Sequence, residues 1–204
     1  MVRNRIETPR ASQKPGRPRS EAAREAILDA AFAELGARGY GDFAIEVVAA
    51  RAGASKSTIY RWWPDRAALA VDSFFSRTRT ELTFPELGSA RADFEQQICQ
   101  LGDLLRRPAG QALLTMALAG RSDRKLGKAF FSRWVLPRRE WGLARLARAV
   151  AEGECRRSLD LEVALDLLYG PLYWRSLAGF GVPDEAWIRQ AVALTFEGFG
   201  PRAD

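Results

Sequence analysis

Two short stretches with apolar residues at helical spacing, joined by a glycine-containing turn, constrain the fold of this 204-residue chain most strongly. In the first, residues 45–52, apolar residues recur at i, i+3, i+4 and i+7, which is one face of a short helix, and Gly53 ends it. The second begins at Ser55, a favourable N-cap residue, and Pro64 blocks its continuation. Two short helices around such a turn are typical of a helix-turn-helix motif.

The second of these helices has the surface that a DNA-reading helix needs. Ile59 and Trp63 stand at i and i+4 and are predicted to point inward. The side chains then predicted to lie outward or at the border are Lys56, Ser57, Thr58, Tyr60, Arg61 and Trp62. In the major groove, Lys56 or Arg61 could reach guanine O6 and N7, and the methyl group of Thr58 could meet that of thymine.

The same surface offers donors for the DNA backbone. Tyr60, Thr58 and the indole N–H of Trp62 are suited to hydrogen bonds with phosphate oxygens, which orient a helix without reading sequence. Arg66, at the start of the next helix, can add a charged phosphate contact. An alternative stays open for Tyr60 and Trp62: they belong to the core, as Trp63 does.

The chain's positive charge is concentrated at its N-terminus. Residues 1–19 hold six cations, among them Arg17 and Arg19, against the single acid Glu7, so they carry +5 of the net charge of +6. With three prolines and Gly16, this arm is expected to be disordered, and structure is expected to begin at Ser20 as an N-cap. Such an arm suits a polyanion, although a merely solubilising tail is the alternative.

The remaining pattern is helical throughout and predicts an all-α fold. Apolar residues at helical spacing follow Ser20 up to Gly36 and Gly39, and a fourth helix is predicted at 65–79. Further helices are predicted at 90–106, 109–119, 122–153 with a break or kink at Pro137, 160–178 and 184–199. We find no convincing β-alternation and no internal repeat.

Residues 43–69, which read FAIEVVAARAGASKSTIYRWWPDRAAL, resemble the DNA-binding domain of the TetR (tetracycline-repressor) family of bacterial regulators. Together with the first helix, the resemblance covers about residues 20–75. Its specific parts are the Ala52-Gly53 turn, residues 55–60 and the aromatic-Pro-Asp-Arg ending. The base contacts implied by the resemblance are Lys56, Ser57, Thr58 and Arg61. The phosphate contacts implied by it are Tyr60, Trp62 and Arg66.

Two positions depart from the family pattern. The family usually has Thr or Ser where Ala44 stands, to cap the second helix and touch phosphate, and commonly His or Tyr where Trp62 stands. Asp42 is expected to supply the missing cap, but its charge cannot attract phosphate. Arg17 and Arg19 of the basic arm are therefore predicted to complete the phosphate contacts.

The resemblance implies a domain organisation and two further partners. After the basic arm at 1–19, it implies a three-helix DNA-binding domain at 20–79. It also implies a larger helical domain at 80–204 that dimerises and binds a small, largely apolar effector. The aromatic residues predicted to line the effector pocket are Phe130, Phe131, Trp134, Trp141, Tyr169, Tyr173 and Trp174. The alternative for each of them is ordinary packing.

The last two helices are the expected dimer surface, again by resemblance. They would form a four-helix bundle across a two-fold axis. The residues predicted there are Ala164, Leu168, Leu172, Ala191, Leu194 and Phe199. The chain is thus expected to be a homodimeric repressor that an effector releases from a near-palindromic double-stranded operator.

Other classes of protein fit the sequence less well. The chain has no histidine, and its glycine-rich residues 36–41 fit no nucleotide-binding motif. The carboxylates Glu152 and Glu154 lie in a charge-mixed stretch that is expected to be solvated. We therefore predict no enzyme activity. Two cysteines fit neither a zinc site nor a disulfide scaffold, and neither a metal nor a cofactor is expected. No apolar run could span a bilayer, and a cytoplasmic location is expected. A helical module that binds anionic lipid through the arm is the remaining alternative.

Overall fold

The computed structural model describes residues 17–78, 82 and 84–200, with side chains from Glu21 onward. The predicted all-α fold is confirmed, and the described residues contain no strand. The helices are α1 (Arg17–Arg38), α2 (Ile45–Ala52), α3 (Lys56–Trp62), α4 (Arg66–Thr78), α5 (Ala90–Arg106), α6 (Pro108–Ala119), α7 (Arg124–Phe130), α8 (Leu136–Ala151), α9 (Leu161–Leu177) and α10 (Glu185–Phe199). In the part of the chain described, no helix is both long and apolar enough to cross a membrane.

Local signals account for the ends of α2 and α3. Gly53 follows α2 with φ 59°, a left-handed conformation that suits glycine, and donates its N–H to the carbonyl of Ala50 at 3.3 Å. Ser55 caps α3 by accepting a hydrogen bond from the N–H of Thr58 at 3.1 Å. Both helices therefore have the boundaries that the sequence predicts.

The start of α1 differs from the prediction. The helix begins at Arg17, so Ser20 lies inside it and the prediction that Ser20 is the N-cap is wrong. Pro18 stands in the first turn, where a missing N–H costs no helical hydrogen bond, and it is therefore compatible with an earlier start. Residues 1–16 and the side chains of Arg17 and Arg19 lie outside the described residues, as does the predicted domain boundary after residue 79.

The predicted break near Pro137 takes the form of a widened turn. A π-helical segment, Phe131–Val135, joins α7 to α8, and Pro137 stands in the first turn of α8. Proline lacks an N–H and its ring crowds the carbonyl four residues earlier, so a wider turn before it relieves the clash. The chain thus continues in helical form from α7 through α8.

Two groups of helices pack against each other. In the first, α1 packs against α2 and α4, and α3 rests on α2. In the second, α5 contacts α6, α8, α9 and α10. The groups meet where α4 packs against α7 and the π-helical segment and where α1 packs against α6.

A buried ion network fastens α5 to α8. Nε of Arg145 donates to Oδ2 of Asp93 at 2.6 Å, and Nη2 donates to Oε1 of Glu154 at 3.0 Å. Glu154 also accepts from the N–H of Ala90 at 2.6 Å. The expectation that Glu154 is a solvated carboxylate is therefore wrong, because its partner Arg145 lies in the interior.

We expect Arg145→Met to lower the free energy of unfolding by about 3 kcal/mol, since the buried Asp93 would keep only the more distant Arg148, at 3.9 Å. Urea denaturation followed by circular dichroism measures the change. Arg91→Met is the matched control: it removes an exposed arginine paired with Glu95, and its expected cost is below about 1 kcal/mol. Equal effects of the two substitutions would contradict this account.

Candidate nucleic-acid interface and internal cavity

The helix α3 is anchored by one face and exposed on the others. Ile59 and Trp63 are 0% and 2% exposed, as the sequence predicts. Tyr60 and Trp62 are 49% and 38% exposed, so the alternative interpretation, in which they belong to the core, is wrong. Two large aromatic side chains thus lie on the outer surface of a helix that a third aromatic holds in place.

The side chains predicted to contact bases already have partners within the protein. Lys56 forms an ion pair with Glu46 of α2, and both side chains are exposed. The hydroxyls of Ser57 and Thr58 each lie 2.8 Å from the hydroxyl of Ser55. These bonds hold the first turn of α3 in one conformation, but all three side chains stay at or near the surface.

Two further predicted contact residues are cationic: Arg61 for bases and Arg66 for phosphate. Arg61 is exposed, with its guanidinium 5.9 Å from the centre of the Trp62 ring. Arg66 is exposed at the start of α4, where its guanidinium lies 4.6 Å from the centre of the Tyr40 ring and donates to the carbonyl of Phe43 at 3.5 Å. Cationic and aromatic donors therefore lie exposed on α3 and at the start of α4.

The start of α2 has no side-chain cap. Ala44 is the N-cap residue, and in the described residues Asp42 accepts no hydrogen bond from the first amides of α2. The prediction that Asp42 supplies the cap is therefore wrong. The N-terminus of α2 therefore lies uncapped near Arg66, and an uncapped helix N-terminus favours an anion.

A polar connection links α3 to the second group of helices. The indole N–H of Trp63 donates to Oδ2 of Asp72, on α4, at 2.9 Å. Arg133, in the π-helical segment, donates to the other oxygen of Asp72. Beside this connection, the rings of Phe74 and Trp134 meet edge to face with their centres 5.1 Å apart. The π-helical segment thus contacts α4, the helix that accepts the hydrogen bond from Trp63 at the end of α3.

A second polar contact joins the two groups at the α1–α2 loop. The hydroxyl of Tyr40 donates to Oδ2 of Asp123 at 2.9 Å, and Asp123 also caps α7. Burial, together with the bond to Asp123, raises the pKa of Tyr40 to about 12. The phenol therefore remains a hydrogen-bond donor at neutral pH.

The second group forms a partly open cavity of about 380 Å³. Four of the predicted aromatic residues line it: Phe130, Trp134, Tyr169 and Tyr173. The other three do not. Phe131, Trp141 and Trp174 are exposed on the outside of their helices, so their assignment to the pocket is wrong.

The cavity also has polar residues that the aromatic pattern did not indicate. Gln97, Arg138, Arg139 and Asp166 all contribute to its lining, and the hydroxyl of Tyr169 donates to Oε1 of Gln97. Arg138 could have been found from the sequence, because it follows Phe130 and Trp134 at i+8 and i+4 on one helical face. A cation in such an aromatic stripe is unusual.

The predicted dimer residues divide between the interior and the surface. Four of them are buried within the chain itself, so the prediction that they form a dimer surface is wrong: Ala164, Leu168, Leu172 and Phe199. Leu194 is exposed and Ala191 is half-buried. The exposed apolar side chains of α9 are instead Val163, Leu167, Trp174 and Leu177.

Both cysteines are buried free thiols. Desolvation raises the pKa of Cys99 and of Cys155. A raised pKa disfavours the reactive thiolate, so the two side chains act as small apolar residues.

Comparisons with known proteins agree with this arrangement. Residues 27–72 match the family described as bacterial regulatory proteins, tetR family, and residues 84–195 match the tetracyclin repressor-like C-terminal domain. An uncharacterized HTH-type transcriptional regulator of Bacillus subtilis (strain 168), YdeS, is 35% identical over 91% of this chain and 93% of its own length. The DNA-binding transcriptional repressor TetR of Mycobacteroides abscessus is 33% identical over 85% of this chain and 92% of its own.

A solved structure shows the same fold. The crystal structure of the TetR family transcription regulator SCO0332 superposes with a TM-score of 0.75 at 32% sequence identity, covering 88% of this chain and 99% of that one. The helix-turn-helix, the cavity and these similarities lead to one conclusion. The chain belongs to the TetR family of bacterial DNA-binding transcriptional regulators.

Proposed function

We propose that this protein is a homodimeric repressor that binds a near-palindromic operator through α3 and leaves it when a small effector occupies the cavity. We assign it no catalytic role. The observation that carries the proposal is the outer face of α3, where Lys56, Tyr60 and Arg61 are exposed on a helix held by the buried Ile59 and Trp63. On this proposal, residues 1–19, 20–79 and 80–204 are the arm, the DNA-binding domain and the effector and dimer domain.

The proposed division of contacts follows from the position of each side chain. Lys56, Ser57, Thr58 and Arg61 read base edges, and their bonds to Glu46 and Ser55 are exchanged for bonds to DNA. Tyr60, Trp62 and Arg66 bind phosphates beside them, and the uncapped N-terminus of α2 adds to this binding. Arg17 and Arg19 are proposed as further phosphate contacts.

Selection of bound sequences from a pool of random DNA duplexes tests this function. The expected product is one motif whose two halves are inverted copies with centres about one helical turn, roughly 34 Å, apart. Recovery of no motif, with binding that depends on salt alone, would indicate a non-specific polyanion or lipid-binding module instead.

Substitution of Arg61 or Lys56 by alanine is expected to relax base preference. Each change should cost about 1–3 kcal/mol on the selected duplex and less on scrambled DNA, because a contact to a base edge is lost. Tyr60→Phe should weaken binding to both duplexes by a similar factor, since it removes only a phosphate contact. Fluorescence anisotropy at fixed salt measures all three variants.

Lys125→Ala, in the first turn of α7, is the matched control for the loss of one positive charge. Its expected affinity for the selected duplex is unchanged. If Lys56→Ala and Arg61→Ala behaved like Lys125→Ala, α3 would not be the reading helix.

The proposed dimer surface is the exposed apolar stripe of α9 with Leu194 of α10. Val163, Leu167 and Trp174 follow one another at helical spacing on a single face, and each is more than half exposed. A contiguous apolar face of this kind marks an interaction site. Pairing it with its own copy across a two-fold axis also gives the two recognition helices that a palindrome requires.

Leu167→Asp is expected to convert the dimer to a monomer, because two-fold symmetry places two unpaired carboxylates in one apolar interface. Light scattering after gel filtration gives the mass, and the selected duplex should bind at least about tenfold more weakly, since one half-site is then read at a time. Asp166→Asn, at the neighbouring exposed position of α9, is the control and should stay dimeric. A dimeric Leu167→Asp protein would exclude this face.

We propose that the effector acts on α3 through the π-helical segment. Trp134 lines the cavity and contacts Phe74, and its neighbour Arg133 holds Asp72, which accepts the indole N–H of Trp63. A ligand that moves this segment would alter the support of the recognition helix. For the effector to release DNA in this way, it must bind the released state more tightly than the DNA-bound state.

Asp72→Ala is expected to weaken operator binding of the ligand-free protein by at least about fivefold, because the buried indole N–H of Trp63 loses its acceptor, a cost of about 1–3 kcal/mol. Arg133→Gln breaks only the link to the π-helical segment and should keep ligand-free affinity within about twofold. Anisotropy titrations on the selected duplex compare the two. Equal losses would show that the acceptor for Trp63 has no special role.

A further inference from the structure

The cavity contains a cation that lacks an acidic partner among the described residues. Two arginines line it, and they differ in their surroundings. Arg139 forms ion pairs with Asp166 and Glu162 of α9. No carboxylate of the described residues forms an ion pair with Arg138. The ionisable groups that affect its pKa are Tyr169 and Tyr173.

Arg138 is held in place without being neutralised. Its guanidinium carbon lies 3.3 Å from the centre of a Trp134 ring and 5.7 Å from that of Phe75. Nη1 donates to the carbonyl of Trp134 at 3.3 Å, whereas the buried Nε finds no hydrogen-bond partner in the described residues. The stacking fixes the plane of the guanidinium and leaves donor capacity unused.

This arrangement is unfavourable unless something compensates it. Burial lowers the pKa of Arg138 to about 10, so the side chain still carries its charge at neutral pH. An unpaired charge and an unpaired donor in an apolar enclosure both cost free energy. A carboxylate would relieve both costs, because its two oxygens match the fork of a guanidinium.

The rest of the lining selects the body of such a ligand. Most of it is apolar, and Leu101, Leu113 and Leu165 line it together with the aromatic side chains. Burial raises the pKa of both Tyr169 and Tyr173, so their hydroxyls stay neutral, and Tyr169 is already bonded to Gln97. At roughly 30 Å³ for each water-sized group, a cavity of about 380 Å³ holds on the order of a dozen such groups.

We propose that the cavity binds a small monocarboxylic acid with an apolar body, its carboxylate on Arg138 and its body against Phe130 and Tyr173. This rests on the proposed function in one respect: the acid is the effector that releases DNA. The binding itself does not depend on DNA. It places the anion beside Trp134, the residue through which the cavity contacts α4.

Isothermal titration calorimetry on the full chain tests the ligand class with matched pairs. The probes are decanoate with decanamide, and 1-naphthaleneacetate with 1-naphthaleneacetamide, each pair differing only in the charge of its head group. The proteins are the wild type, Arg138→Gln, Arg138→Lys and Arg139→Gln. Circular dichroism melts establish that each variant is folded, and operator binding of each ligand-free protein is measured in parallel.

The expected result is that the wild type prefers at least one carboxylate over its amide by about tenfold or more, because the charge-assisted bond is the stronger one. Arg138→Gln should abolish this preference, Arg138→Lys should keep part of it, and Arg139→Gln should keep it. Equal binding of acid and amide, binding of neither acid, or a preference that survives Arg138→Gln would overturn the proposal.

The two measurements distinguish a wrong ligand class from a wrong proposed function. If the acids fail while the ligand-free protein binds its selected duplex, the carboxylate site is excluded and the regulator stands. If the acids bind but no duplex is selected, the site stands as a binding site and the proposed repressor function is wrong.

Discussion

The buried indole of Trp63 is the interaction on which the DNA-binding surface depends. A tryptophan side chain gains free energy from burial only if its N–H finds an acceptor, and Asp72 provides one at 2.9 Å. The bond fixes the end of α3 on α4, while Ile59 packs beneath its middle. With one face held, the remaining faces of a seven-residue helix are free to carry polar and aromatic side chains outward.

Asp72 uses its second oxygen to reach the other group of helices. Its partner Arg133 lies in the π-helical segment, and that segment exists where Pro137 cannot continue a regular helix. The same turn contributes Trp134 to the cavity and brings Arg138 over its ring. One backbone irregularity thus places a cavity wall, a cation and a contact to α4 within a few residues of one another.

The exposed apolar face of α9 shows what helical periodicity cannot distinguish. This helix is apolar nearly all round, so a pattern of spacing fits more than one face. Ala164, Leu168 and Leu172 prove to face the interior, whereas Val163 and Leu167 face outward. Aromatic residues present the same difficulty, since Trp134 and Trp141 read alike in sequence but one lines the cavity and the other is exposed.

The sequence by itself determined the all-α fold, the limits of α2 and α3 and the two faces of α3, because caps, glycine turns and apolar spacing act within a few residues. Only the tertiary structure decided the partners of Asp72, the pairing of Glu154 with Arg145, and the isolation of Arg138 beside a paired Arg139. The free energy of such groups depends on neighbours that lie far away in the chain, and local patterns carry no information about them.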